Sequence, residues 1–169
     1  MIKLDNYKIQ ELINIKDDYE RAYQLVSILF QNICDKEGEP YLNHLIRVST
    51  KLSNPNTRVA GLLHDTIEDI PDLDYDDLRK LKFNEEIIEI VRLVTKDKNK
   101  KQKYHERITK IIESNNLEAI KLKLSDIQDN CNLERLSKLD EQTKNRLYNK
   151  YKDELIRLEN ILQERGEML

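Results

Sequence analysis

Three glycines and three prolines among 169 residues leave the chain poor in the residues that punctuate turns. An all-β sandwich or barrel needs such turns at short, regular intervals, so long helices with short connections are expected instead. Cysteine is equally scarce. Cys34 and Cys131 are the only two, and they have neither the paired spacing of a zinc signature nor the numbers of a disulfide framework. A reducing, cytoplasmic setting fits that usage. No apolar run approaches the length of a membrane span, and Met1-Ile2-Lys3-Leu4-Asp5 does not open a signal-peptide core. A basic excess is also missing. Lys and Arg total 29 against 32 Asp and Glu, for a net charge of -3, which provides no stripe for a nucleic-acid backbone. Neither membrane nor nucleic acid is therefore an expected partner. Nothing in the pattern speaks to oligomeric state.

What is present is charge in balance and helical periodicity. Apolar residues make up 38% and charged residues 36%, enough for one domain with a core and a solvated helical surface. Apolar positions recur with helical period almost throughout. Helices are expected over Lys3 to Ile13 and Asp18 to Ile33, the latter burying Ala22, Leu25, Val26, Leu29 and Ile33. Asp35-Lys36-Glu37-Gly38 is a turn, and Pro40 opens the next helix. Asn54 caps a further helix with Pro55 in its first turn, running to Asp69 before Pro71 ends it. Short helices follow through Leu81, from Asn84 to Val94, and from Tyr104 to Ile112, the last two separated by a basic loop from Lys96 to Lys103. Within it, Lys98-Asn99-Lys100-Lys101 reads as a solvated loop, with phosphate steering as the alternative. Leu117 to Asp129 and Asp140 to Leu162 complete an all-α, single-domain helical bundle. The last helix, roughly 140–164, is expected to serve as packing.

Leu62-Leu63-His64-Asp65-Thr66-Ile67-Glu68-Asp69 is the stretch richest in chemistry. It sets one imidazole and three carboxylates beside an apolar stripe. Residues three and four apart share a helix face, so His64 is expected above Glu68. Such a cluster is costly inside a core unless a cation neutralises it. His44, on the preceding helix, and Asp126, which shares a face with Asn130, complete a mixed nitrogen and oxygen donor set. That set suits Mn²⁺, Fe²⁺, Co²⁺ or Zn²⁺. A divalent ion acidifies a bound water and polarises a phosphoryl oxygen. Glu68 and Asp69 stand one turn on, where a general base is needed.

Four separate segments carry a resemblance. They are Gly38-Glu39-Pro40-Tyr41-Leu42-Asn43-His44, the His64-Asp65 stretch with its trailing Glu68-Asp69, Val94-Thr95-Lys96, and Lys123-Leu124-Ser125-Asp126 with Asn130. Over roughly Tyr19 to Leu139, in order and spacing, the chain resembles the HD-domain metal-dependent phosphohydrolases. Within them it resembles the small stand-alone Rel/Spo-type alarmone hydrolases. The resemblance implies a helical fold of the HD-domain type and one divalent ion, usually manganese, held by His44, His64, Asp65 and Asp126. Fe²⁺, Co²⁺, Zn²⁺ and Mg²⁺ are alternatives. It further implies that Glu68 and Asp69 activate and position water, that Asn130 contacts the nucleotide, and that Lys96 and Lys123 meet phosphate charge. Lys36 and Arg47 are further candidates for substrate contact, with pairing to an acidic neighbour as the equal alternative for Arg47. The reaction implied is release of pyrophosphate from the 3′ position of guanosine 3′,5′-bis(diphosphate). A synthetase domain is not expected.

Two departures stand out. Alarmone hydrolases usually carry a basic run such as Arg-Lys-Ser before Gly-Glu-Pro-Tyr. Here Asp35-Lys36-Glu37 leaves Lys36 as the lone cation, and Asp35 is expected to repel phosphate. Leu45 replaces the proline that commonly follows the first histidine. Two other functions use the same metal site: a nucleotidase or other nucleotide phosphohydrolase, and a nucleotide-sensing module without turnover.

Overall fold

Short polar residues fix most helix starts in the computed structural model, which describes residues 6–97 and 100–169. Asn54 accepts from the backbone of Asn56 and Thr57, with Pro55 following. Asp17, Asp74, Asn84, Asn116, Asn132 and Asp140 cap in the same way, each such bond stabilising by about 1 kcal/mol. The resulting helices are α1 (Asn6–Ile13), α2 (Asp18–Leu29), α3 (Tyr41–Thr50), α4 (Pro55–Leu63), α5 (Thr66–Asp69), α6 (Tyr75–Lys80), α7 (Glu85–Val94), α8 (Tyr104–Glu113), α9 (Leu117–Asn130), α10 (Leu133–Leu136) and α11 (Glu141–Glu164). Among the described residues the only bridge is an isolated antiparallel pair, Cys34 with Pro40. No described helix is long and apolar enough to cross a membrane. The fold is all-α, as the periodicity implies.

The central helix is α4, which packs on α2, α3, α7 and α9. Its segment Val59-Ala60-Gly61-Leu62-Leu63 is buried throughout, as expected of a helix with neighbours on every side. Gly61 permits the closest approach: a Cβ there would lie 2.9 Å from the Ser49 Cα of α3. Two buried hydroxyls fix the register of α3. Ser49 donates to the Arg58 carbonyl at 2.7 Å, and Ser125 of α9 donates to the Val48 carbonyl at 2.8 Å. Three helices that carry candidate ligands are thereby held against one another.

Besides adding the short α10, the structure departs from the expected elements in two places. Helix α2 stops at Leu29, capped by Phe30, so Ile33 is exposed instead of joining the buried face. The helix from Pro55 does not continue to Asp69. It breaks at His64-Asp65 and restarts as α5. Side chains take over the carbonyls there. His64 Nδ1 binds the Gly61 carbonyl at 2.8 Å, and the Thr66 hydroxyl donates to the Leu63 carbonyl at 2.6 Å. Local side-chain bonds of this kind compete with the helical ladder. The interruption leaves Asp65 at φ -97° and ψ -3°, the sparsely populated bridge region where many active-site residues sit. The segment Lys3 to Asp5, and Lys98-Asn99 of the basic loop, lie outside the described residues.

Candidate metal centre and substrate cavity

His44 projects from the first half of α3, between a ring below it and a carboxylate behind it. Tyr41 stacks on Phe30 with centroids 5.2 Å apart and meets the His44 ring edge-on at 5.4 Å. His44 Nδ1 lies 2.7 Å from Asp129 Oδ2. A carboxylate only accepts, so Nδ1 carries the proton and Nε2 faces inward as a free lone pair. His64 is fixed by the same logic. Its Nδ1 donates to a carbonyl, and its buried Nε2 has no hydrogen-bond partner. The two rings meet edge-on at 5.4 Å.

The free nitrogens converge on carboxylates. His44 Nε2 lies 3.5 Å from Asp126 Oδ1 and 3.8 Å from Asp65 Oδ2. His64 Nε2 lies 3.9 Å and 3.0 Å from the same two oxygens. One donor atom each from His44, His64 and Asp126 fits within 4.8 Å. Two oriented imidazole lone pairs and anionic oxygens around one buried point form a donor set for a divalent ion. The orphaned Nε2 of His64 is the observation that favours an ion over a plain polar core, because a buried acceptor without a partner is otherwise destabilising.

The electrostatics agree. Burial opposes a charged His44 ring, yet hydrogen bonds to Asp126 and Asp129 and the charge of Asp65 push its pKa up to about 9. His64 is raised too, against burial, chiefly by Asp65. Burial would raise Asp126, but Lys123 and both imidazoles hold it well below the usual carboxylate range. Burial likewise works against Asp65, whose carboxyl His64 keeps low. The carboxylates thus call for positive charge at the two Nε2 atoms, which either a second ring proton or, on loss of that proton, a divalent ion on the freed lone pair supplies.

Each donor is braced from outside the cluster. Tyr41 donates its hydroxyl to Asp65 Oδ2 at 2.6 Å. Asn130 donates to Asp126 Oδ1 at 2.6 Å, and Lys123 Nζ takes Asp126 Oδ2 at 2.7 Å. Asp129, 2% exposed, serves His44, Arg47 and Arg135 at once. These three hold its carboxyl far below the usual range despite burial. Outer partners of this kind set ligand orientation and basicity. Tyr41, Asp129 and Arg135 were not among the residues singled out in the sequence. The spacing of Asp126 and Asp129, three apart on one helix, was the signal available for the second of them.

A cavity of about 490 Å³ opens beside the cluster, within the usual range for a small-molecule site. Asp65, Asp126, Glu68 and Asp69 line it, as do Lys36, Lys123 and Asn130. Glu68 accepts from the Lys96 backbone at 3.1 Å and pairs with Arg107 at 3.4 Å. Two expected substrate contacts lie elsewhere. Arg47 turns to Asp129 with bonds of 2.7 and 3.1 Å, and Lys96 borders a separate depression with Ile67 and Tyr75. The acids of the 35–37 turn behave differently from expectation. Asp35 accepts from the backbone of Glu37 and Glu39. Arg135 reaches Asp35 at 2.9 Å and Glu37 at 2.8 Å. Both side chains are nearly buried, at 7% and 5% exposed, so their charge is met within the protein. The C-terminal helix does more than pack: Leu147, Lys150 and Tyr151 of α11 line the cavity.

Comparison with known proteins follows the same lines. The HD domain family matches residues 22–130. A guanosine-3′,5′-bis(diphosphate) 3′-pyrophosphohydrolase of Aquifex aeolicus is 34% identical over 122 residues, covering 68% of this chain and 17% of the relative. The Drosophila melanogaster enzyme of that name, MESH1, is 38% identical over 80 residues, 44% of each chain. A GTP pyrophosphokinase of Streptomyces coelicolor is 40% identical over 81 residues, 46% of this chain and 9% of the relative. The chain therefore spans less than half the length of these curated relatives. A solved structure, described as a metazoan ortholog of SpoT that hydrolyses ppGpp and plays a role in starvation responses, superposes with a TM-score of 0.64. It is 26% identical, with 89% of this chain and 97% of that one covered. His44, the His64-Asp65 pair and Asp126 all fall inside the matched span, and the chain belongs to the HD-domain family.

Proposed function

We propose that the chain is a metal-dependent phosphohydrolase that releases pyrophosphate from the 3′ position of guanosine 3′,5′-bis(diphosphate). The observation that carries this reading is the convergence of His44 Nε2, His64 Nε2 and Asp126 Oδ1 at the edge of a cavity that Glu68 and Asp69 also line. The activity named for the Aquifex and Drosophila relatives supports the substrate.

His44, His64, Asp65 and Asp126 would hold one divalent ion, which we take to be Mn²⁺. When bound, it supplies Lewis acidity toward water and phosphoryl oxygen. The chain supplies the rest. Glu68 takes the proton of the attacking water, and Arg107 and the Lys96 amide fix its carboxylate for that task. Asp69 orients the same water. Asn130 and Lys36 contact the nucleotide, and Lys123, already on Asp126, meets phosphate charge at the ligand set. With both Glu68 and Asp69 in the cavity, turnover is a better reading than sensing. Free Cys34 and Cys131 suit a reducing compartment, and we place the protein in the cytoplasm.

The test is a screen for phosphate and pyrophosphate release across nucleotides with Mn²⁺. Pyrophosphate from the bis(diphosphate) is the expected product, and Asp65→Ala abolishes it. Turnover of nucleoside monophosphates without turnover of the bis(diphosphate) would remove the substrate assignment. A screen with no turnover, or with Asp65→Ala equal to wild type, would remove the enzyme assignment.

A further inference from the structure

On the cavity wall formed by α8 and α11, three cations surround one phenol. Arg107 Cζ stands 6.0 Å, Lys123 Nζ 5.8 Å and Lys150 Nζ 5.0 Å from the Tyr104 ring centroid. Lys150 also sits 4.5 Å from the Tyr151 ring and donates to its hydroxyl at 2.8 Å. Arg107 and Lys123 have carboxylate partners in Glu68 and Asp126. Among the described residues no carboxylate pairs with Lys150, nor with Lys36 in the same cavity. Burial and the like charges of Lys123, Lys36 and Arg107 lower the pKa of Lys150.

A second, independent feature lies at the same place. The Tyr104 hydroxyl is buried and has no hydrogen-bond partner. A buried donor left unpaired is destabilising, and so is crowding of like charges away from water. The aromatic faces of Tyr104 and Tyr151 offset part of that repulsion. A group with several anionic oxygens would relieve both costs, accepting from the phenol and neutralising the ammonium and guanidinium. The attacked phosphoryl group must face the donor atoms on α3, α4 and α9. Tyr104 and Arg107 stand on α8 and Lys150 on α11, and Lys123 of α9 lies between them and the donors, 5.8 Å from the Tyr104 ring and 2.7 Å from Asp126 Oδ2.

We propose that Tyr104, Arg107 and Lys150 form a second anion subsite, which binds the phosphate or diphosphate group of the substrate that is not attacked. The proposal rests on the nucleotide-hydrolase reading above and sharpens it. The preferred substrate carries two separate phosphate groups, one cleaved beside the histidines and one anchored on α8 and α11. Lys150 and Tyr104 are then specificity-determining residues, and Tyr151 positions the Lys150 ammonium.

Steady-state kinetics of the full chain test this with guanosine 3′,5′-bis(diphosphate) and guanosine 3′-diphosphate bearing a free 5′-hydroxyl. Wild type is expected to prefer the first at least tenfold in kcat/KM, mainly through KM, and Lys150→Met to erase that preference. Equal losses on both substrates, or an intact preference, would overturn the subsite. A second measurement does not depend on turnover. Inorganic pyrophosphate is titrated by calorimetry into chelator-treated protein, with circular dichroism confirming that the variant is folded. Wild type is expected to bind, and Lys150→Met to bind at least tenfold more weakly. Absent binding to wild type, or equal binding by the variant, would overturn the proposal. If no nucleotide is hydrolysed while pyrophosphate binding depends on Lys150, the hydrolase reading falls and the anion subsite stands.

Discussion

His44, His64 and Asp126 enter the cavity from α3, the end of α4 and α9, each with its second polar atom bonded inside the protein. Tyr104, Arg107 and Lys150 enter from α8 and α11, where a hydroxyl has no hydrogen-bond partner and an ammonium bonds only a phenol, with no carboxylate to balance its charge. Two walls of one cavity are thus prepared for different guests. The histidine wall is preorganised: ring tautomers are set by Asp129 and the Gly61 carbonyl, and the carboxylates are braced by Tyr41, Asn130 and Lys123. That suits an ion with strict geometric demands. The α8–α11 wall is under-satisfied, holding cations near aromatic faces with bonding capacity left over. That suits a polyanion whose charge matters more than its geometry.

Substitutions that act at one wall and not the other test this contrast. The largest effect is expected for Glu68→Gln. It removes the proposed general base without touching the donor atoms, so kcat should fall by about 10²–10⁴-fold while metal analysis finds the ion still bound. An unchanged kcat would transfer the base role to Asp69. Next is Asp129→Asn, which keeps an acceptor for His44 Nδ1 but removes the charge shared with Arg47 and Arg135. Metal affinity should weaken by roughly 10–100-fold, read by calorimetry with Mn²⁺. Affinity equal to wild type would mean that Asp129 only knits helices together. The smallest effect is expected for Tyr104→Phe. Loss of an unpaired buried hydroxyl should leave stability unchanged or raise it by about 1 kcal/mol in denaturant melts, while KM rises a few-fold. A clear loss of stability would show that this hydroxyl is satisfied in solution and that the wall is not held ready for an anion.

Much of the histidine wall was legible in the chain. His44, His64-Asp65 and Asp126 stand in segments whose spacing and order mark them, and the structure brings their donor atoms together. The helix break at His64-Asp65 was not legible. It depends on His64 and Thr66 side chains capturing carbonyls, a choice that the packing of α4 makes available. The Asp35-Lys36-Glu37 turn was misleading for a related reason. Taken alone its acids repel phosphate, whereas Arg135, 100 residues from Asp35, binds both. Arg47 looked equally suited to substrate or to an acidic neighbour, and Asp129 claims it.

The sequence by itself determined the helices, the donor types and the order in which they occur. Those features rest on capping, periodicity and contacts within about one helical turn. Tertiary structure alone decided which carboxylates converge on the histidine nitrogens and which brace the cluster from outside, how the 35–37 acids are neutralised, and that a C-terminal helix completes the cavity. Each of these is a meeting of side chains from different helices. Such meetings are set by how the buried faces of α3, α4, α9 and α11 pack, and no local spacing in the chain encodes them.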